Sequence, residues 1–276
     1  MILNAQRLQK LATWEHLNDS WYLIATVTLT VCNMPQEIPK LYHYAMHTKN
    51  MNETPNIELY NKINKILEKF ADIKATGKDI NFNPYEDEFI GKNKDKEMMV
   101  NSIYYETSDK MRESILKTAA LSGLPKAINS MMILKDNTPL ILRSNNSIPN
   151  RKKIQSWEDY EEMQKRGEDY WNKVYTKISN RVTNQMSSSY PDLWNYTIEN
   201  VYSPLLSFNE VLTPKETSLV VIASLVPQDV NPQLKGHLKG AINSGVPINQ
   251  VRAARDLAVE LGGWCDVKWK SEVAQV

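Results

Sequence analysis

Glycine is scarce in this chain, 9 of 276 residues, against a usual share of ~7%. No Gly-x-Gly-x-x-Gly and no Walker-type loop occurs, which excludes the glycine-cradled phosphate sites that such loops build. Cysteine is scarcer still. Cys32 and Cys265 are the only two; they make no disulfide framework and suit a reducing compartment. Neither sign of charge dominates: Lys and Arg number 33, Asp and Glu 32, and the formal charge is +1. That balance gives no electrostatic footprint for nucleic acid or an acidic membrane, so neither is an expected partner. A long hydrophobic run is missing too. The longest, residues 21–32, contains Thr26, Thr28 and Thr30 and is too short to cross a bilayer. No signal peptide is visible, so the expected protein is soluble and intracellular. The length allows one large domain or two small ones, with a real core either way.

What is present is helical spacing. From Glu58 to Thr76 the residues Leu59, Ile63, Ile66, Leu67, Phe70 and Ile73 fall on one helix face, with Gly77 at the stop. Residues 78–96 are rich in Asn, Asp and Lys and read as a long loop. Ser108-Asp109 forms a cap for a helix from Lys110, with Ile115, Leu116, Ala119 and Ala120 on its apolar face and Gly123 at its end. Pro125 opens the next helix, through Leu134. Residues 144–153 are the linker candidate, and Arg151-Lys152-Lys153 reads as a solvated turn. Ser156 starts a long helix carrying Met163, Tyr170, Trp171, Val174, Tyr175 and Ile178 on one side. Thr213-Pro214-Lys215-Glu216 joins an N-cap, a first-position proline and an acid three residues after the cap. Asn231-Pro232 starts a helix ending near Gly245, and Gln250 to Leu261 forms a last one, stopped by Gly262-Gly263. The expected fold class is all-α.

Residues 26–31 are β-branched and would be strand by propensity. An internal repeat decides otherwise. Ser20 to Ala25 and on to Asn33 matches Ser218 to Ala223 and on to Asn231, at a constant offset of 198. The second copy has the helix-start signal, so the first is helical as well. Glu113 to Pro125 is a third, weaker copy. The division expected is an N-terminal half, 1–148, with a polar insertion at about 78–99, and a C-terminal half, 149–276.

Pro214-Lys-Glu-Thr-Ser-Leu-Val-Val-Ile-Ala223, followed by Gln233-Leu-Lys-Gly-His237-Leu-Lys-Gly-Ala241-Ile-Asn-Ser-Gly245, resembles the carboxymuconolactone decarboxylase family. That family shares its fold with alkylhydroperoxidase-D-like proteins. Fungal members resemble the rest as well, through segments like Trp21 to Asn33, Arg112 to Asn129, Lys165 to Glu168 and Ser189 to Asp192. Only about 51–99 falls outside the likeness. The resemblance implies an alkylhydroperoxidase-D-like helical bundle and a homo-oligomer, since members are commonly trimers or hexamers.

The resemblance also brings a motif: Glu, eleven residues, Cys, two residues, Cys, three residues, His. A thiolate attacks peroxide, a second thiol resolves the product, and Glu with His moves protons. On the C-terminal copy the acid falls on Ser218, the cysteines on Val230 and Gln233, and the histidine alone survives as His237. On the middle copy Glu113 is kept, the cysteines fall on Pro125 and Ile128, and the histidine on Met132. On the first copy the acid is Ser20, the first cysteine is Cys32 and the second is Pro35. No copy has a resolving pair, so the two-thiol peroxidase is not expected. The candidate catalytic residues are His237, as a general acid or base, and Glu113. Each also has a structural reading: a buried hydrogen-bonded histidine, and an acid in the first turn of a helix. Gly236 and Gly240 read as a close helix approach.

His43 and His47, at i and i+4, have metal-binding spacing, but no adjoining Glu and no third ligand; they read as an exposed helical face. No metal and no cofactor are expected. Cys32 reads as a buried structural thiol. Trp157, Trp171, Trp194 and Tyr190 read as core and interface aromatics. Two functions stay open. One is an enzyme acting on a small carboxylate or lactone through His237, with Arg112, Arg252 or Arg255 as the cation. The other is an oligomeric binding or structural protein that keeps the fold without the chemistry. A cavity lined by His237 and a second ionisable group discriminates them. Peroxisomal placement follows from the fungal resemblance. The tripeptide Ala274-Gln275-Val276 is a poor address for it, and a mitochondrial or cytoplasmic placement is the alternative.

Overall fold

The computed structural model describes residues 2–77, 82–85, 94–143 and 149–276. Among them no strand is present, and the fold is all-α. The helices are α1 (Ala5–Ala12), α2 (Trp21–Val31), α3 (Ile38–Ala45), α4 (Ile57–Thr76), α5 (Lys94–Ser122), α6 (Leu124–Asp136), α7 (Trp157–Tyr175), α8 (Ser179–Ser189), α9 (Pro191–Tyr196), α10 (Pro214–Leu225), α11 (Asn231–Asn243) and α12 (Ile248–Trp264). Two π-helical segments, Met46–Asn50 and Thr197–Leu206, extend α3 and α9.

The β-branched stretch lies within α2. Every residue from Trp21 to Val31 is buried, so the helix shows no amphipathic period. Thr26, Thr28 and Thr30 donate their hydroxyls to the carbonyls of Tyr22, Ile24 and Thr26. Each hydroxyl is satisfied inside its own helix, which lets threonines sit in a dry core. The opening helices of the three copies, α2, α5 and α10, pack on one another, and α12 packs against α2 and α10. Each is followed by a helix with a proline in its first turn: Pro39 in α3, Pro125 in α6 and Pro232 in α11. Helices from 1–148 and from 149–276 therefore share one core.

Several cap signals act as expected. Thr213 and Glu216 form a capping box at α10, Ser156 and Asp159 form another at α7, and Gly77 ends α4 at φ 64°. Others are overridden. No helix starts at Lys110: α5 runs unbroken from Lys94, and Ser108 hydrogen-bonds Tyr42 Oη at 2.7 Å in mid-helix. The polar loop therefore ends before Lys96, and 78–81 and 86–93 of it lie outside the described residues. Gly262 and Gly263 lie inside α12, which runs on to Trp264. Of the linker, 144–148 lies outside the described residues, and Arg151 is not solvated, as shown below.

Backbone contact fixes α7 against the long π-segment. A Cβ on Gly167 would lie 2.6 Å from Ser203 Cα, a distance no side chain tolerates. On α11, Gly240 meets Val174 in the same way, at 2.5 Å from its Cγ1, whereas Gly236 has only the Tyr175 ring at 3.8 Å. Of the two glycines expected to admit a helix, Gly240 does so.

Candidate functional site

Glu113 and Lys117 sit one turn apart on the buried face of α5. The Glu113 carboxylate is paired end-on by Arg151, whose Nη2 donates to Oε1 at 2.6 Å and Nη1 to Oε2 at 3.1 Å. Arg151 also donates Nε–H to the Pro204 carbonyl at 2.9 Å and lies 4.2 Å over the Phe208 ring. The guanidinium is thus fixed by a carboxylate, a carbonyl and an aromatic face. Lys117 is fully buried and donates to Leu206 O at 3.2 Å, Phe208 O at 2.6 Å and Thr217 Oγ1 at 2.8 Å. It closes the end of the π-segment, whose last carbonyls have no helical donor. Burial pushes its ammonium down to about 7, and the nearby Glu113 carboxylate works against that shift.

Above this pair a cavity of about 440 Å³ opens, lined by the cations Arg151, Arg166, Lys152 and Lys153 and floored by Met163, Pro204 and Phe208. Arg166 donates to neutral acceptors, Ser207 Oγ and Ser203 O, both at 3.1 Å. Asp159, Glu162 and Glu210 line it as well, and Asp159 is engaged in the α7 capping box.

His237 is elsewhere. It projects from α11 into an aromatic cluster, with Nε2 3.4 Å from Tyr175 Oη and the ring edge-on to that phenol. Tyr175 Oη in turn lies 3.3 Å from Tyr202 Oη, and Trp171 stacks beside both. Burial pushes His237 down to about 4, and burial raises both phenols. Near neutrality the imidazole and the phenols are all uncharged, a poor arrangement for a general acid. His237 does not line the 440 Å³ cavity.

The other sequence candidates are also accounted for. Arg252 donates to Val276 O, and Arg255 to Val273 O and Ala274 O, so the C-terminal segment occupies both. Arg112 is paired with Asp109 and Leu142 O. His43 and His47 are not on an exposed face; both are fully buried. His43 Nε2 meets Asn137 O at 2.9 Å and Nδ1 meets Tyr85 Oη at 2.6 Å, while His47 Nδ1 pairs with Glu53. The segment carrying Tyr85 covers the face that spacing left open. Among the described residues no group of three or more His, Cys, Asp or Glu side chains is placed to hold a metal. Trp171 is core, as expected, whereas Trp157 and Tyr190 are exposed. No helix among the described residues is long and apolar enough to cross a membrane.

Cys32, Glu113 and His237 are not brought together; each has partners of its own. One partner carries no signal in the sequence: Arg151, whose basic triplet looks like any turn.

The model of the Carboxymuconolactone decarboxylase family matches residues 193–275. The chain is 43% identical over 295 aligned positions to Peroxisomal protein 2 of Saccharomyces cerevisiae, covering 100% of this chain and 99% of that protein. It is 42% identical over 164 positions to Peroxisomal protein 2 of Schizosaccharomyces pombe, covering 59% of this chain and 74% of that protein. The chain belongs to the carboxymuconolactone decarboxylase-like family, in company with these fungal peroxisomal proteins. No solved structure matches it.

Proposed function

We propose that this chain is a peroxisomal binding protein for a small carboxylate, held by Arg166 in the cavity between α7 and the π-segment 197–206. The observation that carries this reading is the placement of Arg166, half-buried, bonded to neutral acceptors, beside Arg151, Lys152 and Lys153 over an apolar floor. A guanidinium over a greasy floor takes a carboxylate by its charge and the remaining body by contact area. The relatives' name supports the compartment. His237 does not enter this function, since its ring is uncharged near neutrality and faces Tyr175. Glu113 acts as the anchor of Arg151 rather than as a proton carrier.

Thermal-shift titration with a panel of small mono- and dicarboxylates and lactones tests this. One carboxylate should give saturable stabilisation, about 2.7 kcal/mol at a hundredfold excess over Kd. Arg166→Leu should abolish it, and His237→Ala should retain it. A flat panel, or a ligand that binds equally well after Arg166→Leu, would overturn the reading.

The same protein is proposed to be a homo-oligomer. Leu124, Ile128 and Met132 recur every turn along α6 and are 59%, 50% and 54% exposed, an apolar stripe of the sort that marks an interface. Light scattering at micromolar concentration should exceed the 31.8 kDa chain mass, and Ile128→Lys with Met132→Lys should reduce it to that mass.

A further inference from the structure

The lining of the 440 Å³ cavity carries both signs of charge. Arg151 is already neutralised by Glu113. That leaves Arg166, Lys152 and Lys153 together with Asp159, Glu162 and Glu210. A ligand with two or more negative charges would meet these carboxylates as well as the cations. The balance therefore disfavours dianions and suits a molecule that itself carries one charge of each sign.

Glu162 and Arg166 define where those two charges go. They are at i and i+4 on α7, with the acid on the N-terminal side, the order and spacing at which a helix surface forms an ion pair. Among the described residues they form none. Arg166 turns to the π-segment and the residue after it, giving Nη2–H to Ser203 O and Nε–H to Ser207 Oγ, both at 3.1 Å. Ser207 donates its own hydroxyl hydrogen to Ser203 O at 2.7 Å, so its oxygen is left to accept from the guanidinium. Both hydrogens on Nη1 and one on Nη2 stay available to an anion. Arg166 is half-buried and Glu162 is exposed. Four helical rises, about 6 Å, separate them along the axis, a gap that an ammonium and a carboxylate on one carbon can bridge. Met163, Pro204 and Phe208 provide apolar surface in the same cavity.

We infer that the ligand of this cavity is an α-amino acid with an apolar side chain. Its carboxylate takes the open end of the Arg166 guanidinium, its ammonium takes Glu162, and its side chain lies on Met163, Pro204 and Phe208. The ligand thus completes the ion pair that the anchoring of Arg166 to Ser203 and Ser207 prevents. This inference rests on the carboxylate-binding reading and narrows it: the carboxylate alone satisfies Arg166, and the ammonium is what makes Glu162 part of the site. A dicarboxylate would set its second charge among Asp159, Glu162 and Glu210.

Isothermal titration calorimetry on the full chain uses norleucine, hexanoate, pentylamine and adipate. Norleucine should bind about tenfold more tightly than hexanoate, the gain of one further charge-assisted bond. Pentylamine should give no saturable heat, and adipate should bind no more tightly than hexanoate. Glu162→Gln, a change at an exposed position, should reduce norleucine to the affinity of hexanoate without weakening hexanoate. Arg166→Leu should remove both. Hexanoate bound through Arg166 as tightly as norleucine would overturn the amino-acid inference and leave the carboxylate reading standing, and so would adipate binding more tightly than either. A norleucine preference lost in Glu210→Gln but kept in Glu162→Gln would overturn the role given to Glu162. Binding that survives Arg166→Leu, or no heat from any of the four probes, would overturn this inference and the carboxylate reading together.

Discussion

Replacing Lys117 with methionine is expected to lower folding free energy by on the order of 3–5 kcal/mol. Methionine matches the length and apolar stem, so no cavity of note results. What is lost is the donor. Leu206 O, Phe208 O and Thr217 Oγ1 each receive one of the three ammonium hydrogens, all in a buried setting. Removing a donor that leaves its acceptors buried costs about 1–3 kcal/mol for each group left without a partner. Burial is the largest of the causes that lower the amine to about 7, yet a neutral amine has only two hydrogens for three acceptors, so only the charged form satisfies all three. Urea unfolding followed by tryptophan fluorescence should show a lower midpoint with an unchanged slope. Lys152→Met, on an exposed neighbour of the same cavity, should change stability by no more than about 0.5 kcal/mol. If Lys117→Met proved as mild as that, Lys117 would not be the clasp that joins α5 to the π-segment and α10.

The contrast between these lysines shows which parts of the molecule were legible in the sequence. Local signals survive when their partners are local. The box of Thr213 and Glu216 and the stop at Gly77 involve residues within one turn of each other, and both act as their spacing suggests. The repeat resolved α2 because a shared pattern carried the helix-start signal from a clear copy to an obscure one. Signals fail where a distant segment outbids the local one. Ser108-Asp109 had the chemistry of a cap, but Tyr42 takes the Ser108 hydroxyl, and Asp109 pairs with Arg112, so α5 runs straight through. The pair of Glu113 with Arg151 is fixed by how helices stack, and nothing within a turn of either residue foretells it. His237 was legible as a residue and not as a role: its spacing placed it toward the interior, and only the fold shows that the interior there is phenolic.

Acid should destabilise the protein well before its carboxylates titrate, and the buried histidines are the reason. In His43, Asn137 O can only accept, so Nε2 carries the hydrogen and Nδ1 accepts from the Tyr85 O–H. A second proton, on Nδ1, would turn the Tyr85 O–H out of that bond, and burial, with His47 close by, pushes the ring down from its ordinary 6.5 to about 3. Burial brings His237 down to about 4 in the same direction. The unfolded chain binds protons at both residues below about 6.5, while the folded chain refuses them until much lower pH. Stability is therefore fully present above the unfolded value and falls as pH drops through it. The two remove on the order of 2–4 kcal/mol between pH 7 and pH 5, with His237 giving the smaller share because its side chain is only partly buried. Glu53 and Glu216 are held low by Lys62 with His47 and by Lys110 against the opposing push of burial. They act in the same sense but mainly below 4.5, their ordinary value, which keeps them out of this window. Urea midpoints measured from pH 7 to pH 5 should show the loss directly. His43→Gln should start less stable at pH 7 and then decline about half as steeply. A decline as steep as that of the wild type would mean that His43 takes up its proton in the folded state in spite of its burial.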